Sequence, residues 1–463
     1  MIHPTHPTPL APPTPPLPAA AASPPPVPRR VLVRDLAQHV GRTVTVAGWV
    51  NTLRLQRAMQ FVLVRDHTGT AQLTHRRGGP ADPIEAELDA LTVESAVRIT
   101  GTVVANPVVR LHGVEIVPER VEVLARAEGP LPVDERSGIE HRLDWRFLDL
   151  RRRPAGALLL AVQSTVEAAM RSFAHAEGCT ELHTPKLMGS ASESGAEVFR
   201  LDYFDRSAYL AQSPQFYKQM AIAAGVDRVF EVGPVFRAEP SFTSRHATEF
   251  TGVDVELAWT TGVEEVMDFE ERMLAHTLAA VAERHGEEIR EQFGVTVTVP
   301  QLPFPRLTMA QAQKILRARG WDPGGEKVDL DPEGERALAA YVREQSGHEF
   351  VLVTDYPASI RPFYHQRRGE QPEVTASFDL LWKGLEITTG AQREHRHDVL
   401  LRQAAEKGMA TGPIEDYLNC FRYGCPPHGG FGLGLGRVVM VLLGLPSLRE
   451  ATFLFRGPNR LTP

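Results

Sequence analysis

The sequence predicts an α+β fold in two parts: a small β-barrel domain, then a larger antiparallel sheet flanked by helices. Three observations carry this expectation. From Val31 to about Arg126 the chain is made of short segments in which apolar and polar residues alternate, the period of half-buried strands. A polar, proline-containing stretch follows, "EGPLPVDERSG" at 128–138, and reads as a hinge. Beyond it, strands succeed one another with long loops rather than in regular βαβ alternation, which favours an antiparallel sheet over a doubly wound parallel one. The expected division is a disordered Pro/Ala-rich tail (1–29), the barrel (30–127), the hinge (128–142) and the large domain (143–463).

Composition narrows the function classes. The 463 residues suffice for about two or three domains with a sizeable core. No uninterrupted apolar stretch approaches bilayer-spanning length, and the tail lacks the basic start and apolar segment of a secretory signal, so no membrane role is expected. Three cysteines, Cys179, Cys420 and Cys425, form no C-x-x-C pair and no even set, which suits a reducing cytoplasm. A net charge of −7 argues against wholesale coating of nucleic acid but leaves room for a local basic surface. Arginine dominates the cations, and only six lysines occur, so the lysine at 218 stands out.

The barrel strands are "VTVAGWV", "QFVLVRD", "TAQLTH", "AVRITGTVV" and "VEIVPERVEVL", with the helical patch "PIEAELDALT" between the third and fourth. Five strands with a helix in that place match the OB-fold, whose exposed sheet face commonly binds single-stranded nucleic acid. Phe61, Arg54, Arg57 and the "HRRGG" turn at 75–79 are the surface candidates. Phe61 reads equally well as a core aromatic or as a platform for an unpaired base.

In the large domain an amphipathic helix runs from about Ala157 to Glu177, followed by the strand "TELHTP". A long acidic helix covers about Val263 to His285, and further helices begin near Thr308 and Gly334. Strands at "EFVLVTDYP", "ASFDLLW" and "LEITTG" precede the glycine segment "GGFGLGLGRVVM" at 429–440. That segment is no dinucleotide fingerprint, because Arg437 stands where the third glycine belongs. It is no P-loop either, because no Gly-Lys-Ser/Thr follows.

Two segments concentrate chemistry. In "DRVFEVGPVFRAEPSFTSRHATEFTGVDVELAW" (227–259), two strands flank a loop holding Arg245 and His246. Period-two geometry puts Arg237 and Glu239 on one face of the first strand, and Phe250, Asp254 and Glu256 on one face of the second. Arginine beside an aromatic ring suits a nucleoside triphosphate, guanidinium on phosphate and purine on Phe250. In "SFDLLWKGLEITTGAQREHRHD" (377–398), a two-residue Lys383-Gly384 turn sets Asp379 opposite Thr388, with Glu386 on the same face. Two carboxylates followed by hydroxyls at Thr388 and Thr389 are hard oxygen ligands that fit Mg²⁺ bridged to phosphates. Arg393 brings a positive charge to the same pocket.

In their order and spacing these segments resemble a class II aminoacyl-tRNA synthetase. "TELHTP", ending at Pro185, looks like motif 1; "FRAE…RHATEF" looks like motif 2; "GLGLGRVVM" looks like motif 3. The resemblance extends over nearly everything from Val31 to Pro463. The subfamily resembled is aspartyl-tRNA synthetase of the shorter archaeal and eukaryotic type. Only about 120 residues separate Asp254 from Asp379, too few for the large extra domain of the bacterial type, and the closing "FRGPNRLTP" also looks like the shorter type. Gly436 departs from it, since that type often has Glu there.

The resemblance implies roles for particular residues. Arg237, Glu239, Arg245, His246, Phe250, Gly434, Gly436 and Arg437 would bind ATP with Glu386, and Arg237 and Arg437 would be the catalytic charges. Glu386 and Thr389 would hold Mg²⁺, with Asp379 nearby. Glu193, Gln215, Lys218, Asp254 and Arg393 would hold L-aspartate, together with Arg237 and Thr389. Arg54, Phe61 and Gln72 match readers of the anticodon loop. A homodimer is implied, because the motif 1 helix and strand form the interface in this class.

The nearest rival, asparaginyl-tRNA synthetase, shares the architecture. Its members typically carry an apolar residue at the Lys218 position, and a neutral carboxamide gains nothing from a buried ammonium. A non-catalytic RNA-binding paralogue would be expected to lose the arginines of motifs 2 and 3, which this chain retains. tRNA-Asp and tRNA-Asn differ at the last anticodon base, C against U; reading C requires an acceptor for its amino group. The loop "VVANPVVRLHG" (103–113) offers no obvious one, so charging of both tRNAs is expected.

Overall fold

A computed structural model of the chain describes residues 29–79, 81–111, 113–190, 197–241, 243–321 and 329–463. All but the last residue of the tail expected at 1–29 lies outside the described residues. The chain divides into two compact units, Met1–Pro132 and Val133–Pro463. Among the described residues no helix is long and apolar enough to cross a membrane.

In the first unit, β1 (Thr43–Leu55), β2 (Met59–Asp66), β3 (Gly69–Arg76), α1 (Pro83–Asp89), β4 (Ala96–Ala105) and β5 (Val114–Ala125) follow in order. The strands close into a barrel in the order β1-β2-β3-β5-β4. Alternation turns Val44, Val46, Val62, Val64, Leu73, Ile99 and Ile116 into its core. A 3₁₀ turn at Val33–His39 replaces the extended start expected from Val31; it inserts Val33 and Leu36 into that core. Asp82 starts α1 by accepting from the Ile84 and Glu85 N–H groups, an N-cap followed by a proline in the first turn.

The barrel register decides the reading of Phe61. Its neighbours Gln60 and Val62 are fully buried, so Phe61 lies on the outer face, paired across the strands with Arg54 and Thr74. It is a half-buried surface aromatic, not a core residue. Gln72 shares that surface and donates to Glu115 at 3.2 Å. The "HRRGG" turn is less basic than expected. His75 turns inward onto Gln60 at 2.9 Å, and Arg77 is held by Glu85 and Asp89 at 2.8 and 2.6 Å.

The second unit begins with α2 (Ile139–Asp144), α3 (Arg146–Arg152) and α4 (Pro154–Ala176). Next come β6 (Thr180–Glu181), β7 (Leu187–Met188), β8 (Arg200–Tyr203), β9 (Arg206–Leu210) and α5 (Gln215–Ala223). Of the strand expected over "TELHTP", only Thr180–Glu181 is formed. After it stand β10 (Arg228–Phe236), β11 (Glu249–Ala258), α6 (Val263–Phe293), β12 (Arg306–Thr308), α7 (Met309–Ala318) and α8 (Pro332–Ser346). The chain continues through β13 (Phe350–Thr354), β14 (Ser377–Trp382), β15 (Leu385–Gln392), α9 (His397–Glu406), α10 (Glu415–Asn419), β16 (His428–Gly434) and α11 (Leu435–Leu442).

The main sheet has the order β12-β13-β14-β15-β16-β11-β10-β6. It is antiparallel except where β12 meets β13 and β10 meets β6. One face packs on helices through Val162, Val166, Phe269, Leu274, Phe378, Phe431 and Val438. Val253, Val255 and Leu257 of β11 point into this layer; Phe250, Asp254 and Glu256 therefore point to the other. Helix α6 runs eight residues beyond His285 to Phe293. Gly286 does not end it, because His285 bonds Thr165 at 2.9 Å and Ile289 is fully buried; the apolar stripe continues until Gly294 caps it at φ 68°.

A buried ion cluster fastens the end of the chain to α3. Asp149, 2% exposed, bonds Arg142 at 2.9 Å, Arg146 at 2.8 Å and Arg153 at 2.5 Å. Arg146 also donates to the carbonyls of Glu450 and Thr452. Burial alone would raise the Asp149 pKa, but Arg142 and Arg153 outweigh it and hold the carboxyl below its ordinary range. Asp149→Asn should therefore lower stability at neutral pH by about 3–5 kcal/mol, the cost of leaving buried charge unpaired. A carboxylate with a depressed folded-state pKa stabilises above its unfolded pKa, and this contribution fades as pH falls through the folded value. Urea midpoints of wild type and variant should thus differ at pH 7 and converge in strong acid; a difference that stays constant with pH would contradict the assignment.

Candidate active site

The charged face of the sheet floors a cavity of about 410 Å³, within the usual range of small-molecule sites. One end is lined by Arg237, Glu239, Arg245, His246, Phe250 and Arg437, with Gly434 and Gly436 beneath. The other end is lined by Gln215, Asp254, Thr389 and Arg393, and Glu386 stands on the wall. Lys218 and Asp379 lie behind the wall rather than on it. Glu193 lies outside the described residues. Arg361, Tyr364 and His365 also line the cavity and were not singled out by sequence.

Arg237 and Glu239 do not share a strand face, as expected from periodicity, because β10 ends at Phe236. Both come from the following loop, pinned where the Arg237 N–H donates to the Thr248 carbonyl at 2.9 Å. From there the Arg237 guanidinium lies 5.5 Å from the Phe250 ring centroid, a cation–π contact. Arg245 is paired at 2.7 Å with Glu335 of α8, ninety positions away in sequence and invisible to any local pattern. Arg437, in the first turn of α11, donates to the Glu386 carbonyl at 2.8 Å and lies 3.6 Å from its carboxylate. His246 sits against the Ser241 and Thr243 hydroxyls; burial, then Arg437, lower its pKa and favour the neutral ring.

The β14–β15 hairpin is one residue out of the expected register. A bulge between Leu380 and Leu381 sets Asp379 opposite Thr389, and Thr388 opposite Leu380. The extra residue brings Glu386 and Thr389, three apart, to one face, with Thr389 Oγ1 3.4 Å from Glu386 Oε1. Thr388 faces the helix layer instead, beside Glu270. Asp379 is already bonded by Arg361 at 2.7 Å, though its Oδ1 is buried without a partner among the described residues. Burial, then Asp379, raise the pKa of Glu386 against the opposing pull of Arg437. A carboxylate and a hydroxyl on the wall, with repulsion that a cation would relieve, fit a hard divalent ion. Among the described residues no group of three acidic, His or Cys side chains could hold a metal alone, so phosphate oxygens would have to complete the shell.

The other end of the cavity is built on buried charge. Glu256, fully buried, takes Arg393 at 3.0 Å and Lys218 at 3.2 Å. Burial would raise its pKa; Arg393 and Lys218 together overcome this and keep it ionised. Lys218 also bonds Asp254 at 3.0 Å, the Phe431 carbonyl at 3.1 Å and the Val255 carbonyl at 3.4 Å. All three ammonium hydrogens are thus engaged. Of the two cations expected to hold aspartate, both are paired within the protein and only Arg393 reaches the cavity wall.

This charge explains the glycine segment. Residues 428–434 are not a phosphate loop but strand β16, paired with β11 and β15. A Cβ on Gly430 would come within 2.1 Å of the Val255 carbonyl oxygen and 2.4 Å of Glu256 Oε2. One on Gly432 would meet Asp254 Oδ1 at 3.1 Å. These two glycines make room for buried carboxylates, whereas a Cβ on Gly434 would find only Arg437, at 3.7 Å.

Comparison with known proteins agrees with this geometry. Residues 138–456 match the model for class II tRNA synthetases (D, K and N), and residues 44–124 match that for an OB-fold nucleic acid binding domain. The aspartate–tRNA(Asp) ligase of Pyrococcus horikoshii is 41% identical over 91% of this chain and 97% of its own length. The aspartate–tRNA(Asp/Asn) ligase of Thermus thermophilus is 40% identical over 94% and 100%. Among solved structures, asparaginyl-tRNA synthetase from Pyrococcus horikoshii, complexed with asparaginyl-adenylate, superposes with a TM-score of 0.87 at 33% identity, covering 94% of this chain and 99% of that one. Aspartyl tRNA synthetase from Entamoeba histolytica gives 0.84 at 31% identity, covering 94% and 93%.

The close contacts in β16 yield a direct expectation. Gly430→Ala should cost more than about 3 kcal/mol, the upper range of overpacking, because backbone cannot yield as a flexible side chain can. Gly434→Ala, at ordinary contact distance, should cost about 1 kcal/mol or less. Denaturant midpoints of the two variants measure the difference; similar midpoints would contradict the packing account.

Proposed function

The chain belongs to the class II tRNA synthetases of the D, K and N group, and on that premise we propose that it is an aspartate–tRNA ligase. It activates L-aspartate with ATP and transfers the aspartyl group to tRNA. The observation that carries the choice of amino acid is Arg393 on the cavity wall, with Lys218 behind it, so that two buried cations share the one fully buried carboxylate of Glu256. Backbone likeness does not discriminate, since the asparagine and aspartate enzymes superpose almost equally well. A neutral amide needs no such cations; a side-chain carboxylate does.

In the first step an α-carboxylate oxygen of aspartate attacks the α-phosphorus of ATP. The new P–O bond forms as the bond to pyrophosphate breaks, leaving aspartyl-adenylate. In the second, a terminal ribose hydroxyl of tRNA attacks the activated carbonyl and AMP departs. No protein nucleophile is needed; alignment and charge stabilisation carry the rate. Arg237, Arg245 and Arg437 serve the phosphates, Phe250 stacks the purine, and Gln215, Asp254 and Arg393 hold the amino acid. Glu386 and Thr389 would hold Mg²⁺, with Asp379 nearby, and the ion would neutralise charge at the phosphates. The family reading carries with it a homodimer through the motif 1 helix and strand, and the exposed Phe147 and Leu187, 58% and 50% accessible, flank that segment in the sequence.

We further read the chain as charging both tRNA-Asp and tRNA-Asn. Asn106 is the one side-chain acceptor among the described residues of the loop 103–113, and its Oδ1 is occupied by the Val108 N–H at 3.2 Å. No other described side chain of the loop can accept from the amino group of C. Relatives of both kinds lie at similar identity.

Amino-acid-dependent ATP–pyrophosphate exchange tests the first reading: aspartate should support exchange and asparagine should not, and the reverse preference would refute it. Charging of purified tRNA-Asn to a level comparable with tRNA-Asp tests the second. Phe61→Ala should weaken aminoacylation by about 1–3 kcal/mol, the worth of one base–aromatic stack, while exchange stays at the wild-type level. A parallel loss of both activities would remove Phe61 from the anticodon surface.

A further inference from the structure

His365 is the neutral acceptor on which Arg393 rests. Its ring is 3% exposed and lines the cavity, with Nε2 3.1 Å from Arg393 Nη1. Guanidinium only donates, so Nε2 must carry the lone pair and Nδ1 the proton. That Nδ1 is buried with no partner among the described residues. Burial, then Arg393, drive the ring's pKa far down, with Arg361, Lys218 and Lys407 acting in the same direction; an imidazolium here would face four cations.

The backbone holds this ring in place. Residues 365 and 393 form an antiparallel bridge, and Gln403 of α9 donates to the carbonyls of Phe363 and His365 at 2.5 and 3.2 Å. Arg393 has five N–H donors. Nε takes Glu256 Oε1 at 3.0 Å, and Nη2 takes Glu256 Oε2 at 3.4 Å and the Gly430 carbonyl at 2.9 Å. His365 takes one hydrogen of Nη1. The second Nη1 hydrogen is the single one without a partner among the described residues, on a side chain that lines the cavity.

We propose that His365 is a positioning residue for amino-acid selection, fixing the rotation of the Arg393 guanidinium so that its one uncommitted N–H meets the side-chain carboxylate of the substrate. The inference rests on the aspartate reading. Glu256 grips only one edge of the guanidinium; His365 holds the opposite end without adding a negative charge. A second carboxylate in its place would add to the negative charge that Glu256 already sets beside Arg393 and would repel the substrate. A neutral imidazole leaves that charge balance unchanged and sets only direction.

Gln and Asn separate this role from packing. The Gln carboxamide oxygen reaches the place of Nε2, whereas the Asn oxygen reaches only that of Nδ1. With wild type first shown to activate aspartate, pyrophosphate exchange is run on His365→Gln and His365→Asn with aspartate and ATP varied separately. His365→Asn should raise KM for aspartate by about tenfold or more, the worth of a hydrogen bond to a charged group, with KM for ATP nearly unchanged. His365→Gln should restore most of the wild-type value. Equal behaviour of the two variants, or equal shifts in both KM values, would overturn the proposal. A second measurement needs only wild-type protein with ¹⁵N-histidine, the His365 signal being assigned by its loss in His365→Gln. The ring should be neutral with the proton on Nδ1; a proton on Nε2 would equally overturn it. Failure of wild type to activate aspartate would instead refute the underlying function.

Discussion

Everything on the amino-acid side of the cavity follows from one fully buried carboxylate. Glu256 sits in mid-strand with no access to water and would be strongly destabilising alone, since an isolated charge in a protein interior costs several kcal/mol. Lys218 from α5 and Arg393 after β15 meet it, and each then needs further acceptors. Those come from Asp254, from the carbonyls of Val255, Gly430 and Phe431, and from His365. Strand β16 runs so close to these groups that a Cβ at 430 would collide with the Val255 carbonyl and one at 432 would press on Asp254. A glycine-rich segment, a buried lysine and a neutral histidine are thus three consequences of one burial.

The nucleotide end obeys a different rule. Arg245 is held at 2.7 Å by the mostly buried Glu335, but Arg437 and Arg237 are partly exposed and paired loosely, the first 3.6 Å from the Glu386 carboxylate and the second over Phe250. Such pairs near water are worth little, so phosphates can take the guanidinium groups over at small cost. The amino-acid end is rigid and closed, as discrimination between a carboxylate and an amide demands. The nucleotide end is open, as befits a substrate with several negative charges of its own. The β14–β15 bulge joins the two, bringing Glu386 and Thr389 to the boundary between them.

Local pattern made much of this legible. Alternation gave the barrel strands because one face of each is buried, and the helix stripes gave α4, α7 and α8 to within a few residues. The residues expected at the nucleotide end, Arg237 through Phe250 and Arg437, do line one cavity. Phe61 was ambiguous only because period two says that a residue faces one way or the other, not which way is inside. Three-dimensional register resolved it, through the burial of Gln60 and Val62.

What the sequence determined by itself was the barrel strands, the main helices and several sheet strands of the large domain, the family they resemble and the residue types at the site, because these depend on periodicity and on spacing along the chain. Tertiary structure alone decided the partners. Glu335 reaches Arg245 across ninety positions, and Gln403 orients the segment bearing His365 across almost forty. A single bulged residue exchanged Thr388 for Thr389 opposite Asp379, a shift that no alternation pattern records. Most of all, Lys218 reads in sequence as a cation awaiting a substrate, yet in the fold it is already neutralised. Pairing of buried charge is settled by distance in space, through a Coulomb energy that knows nothing of chain order.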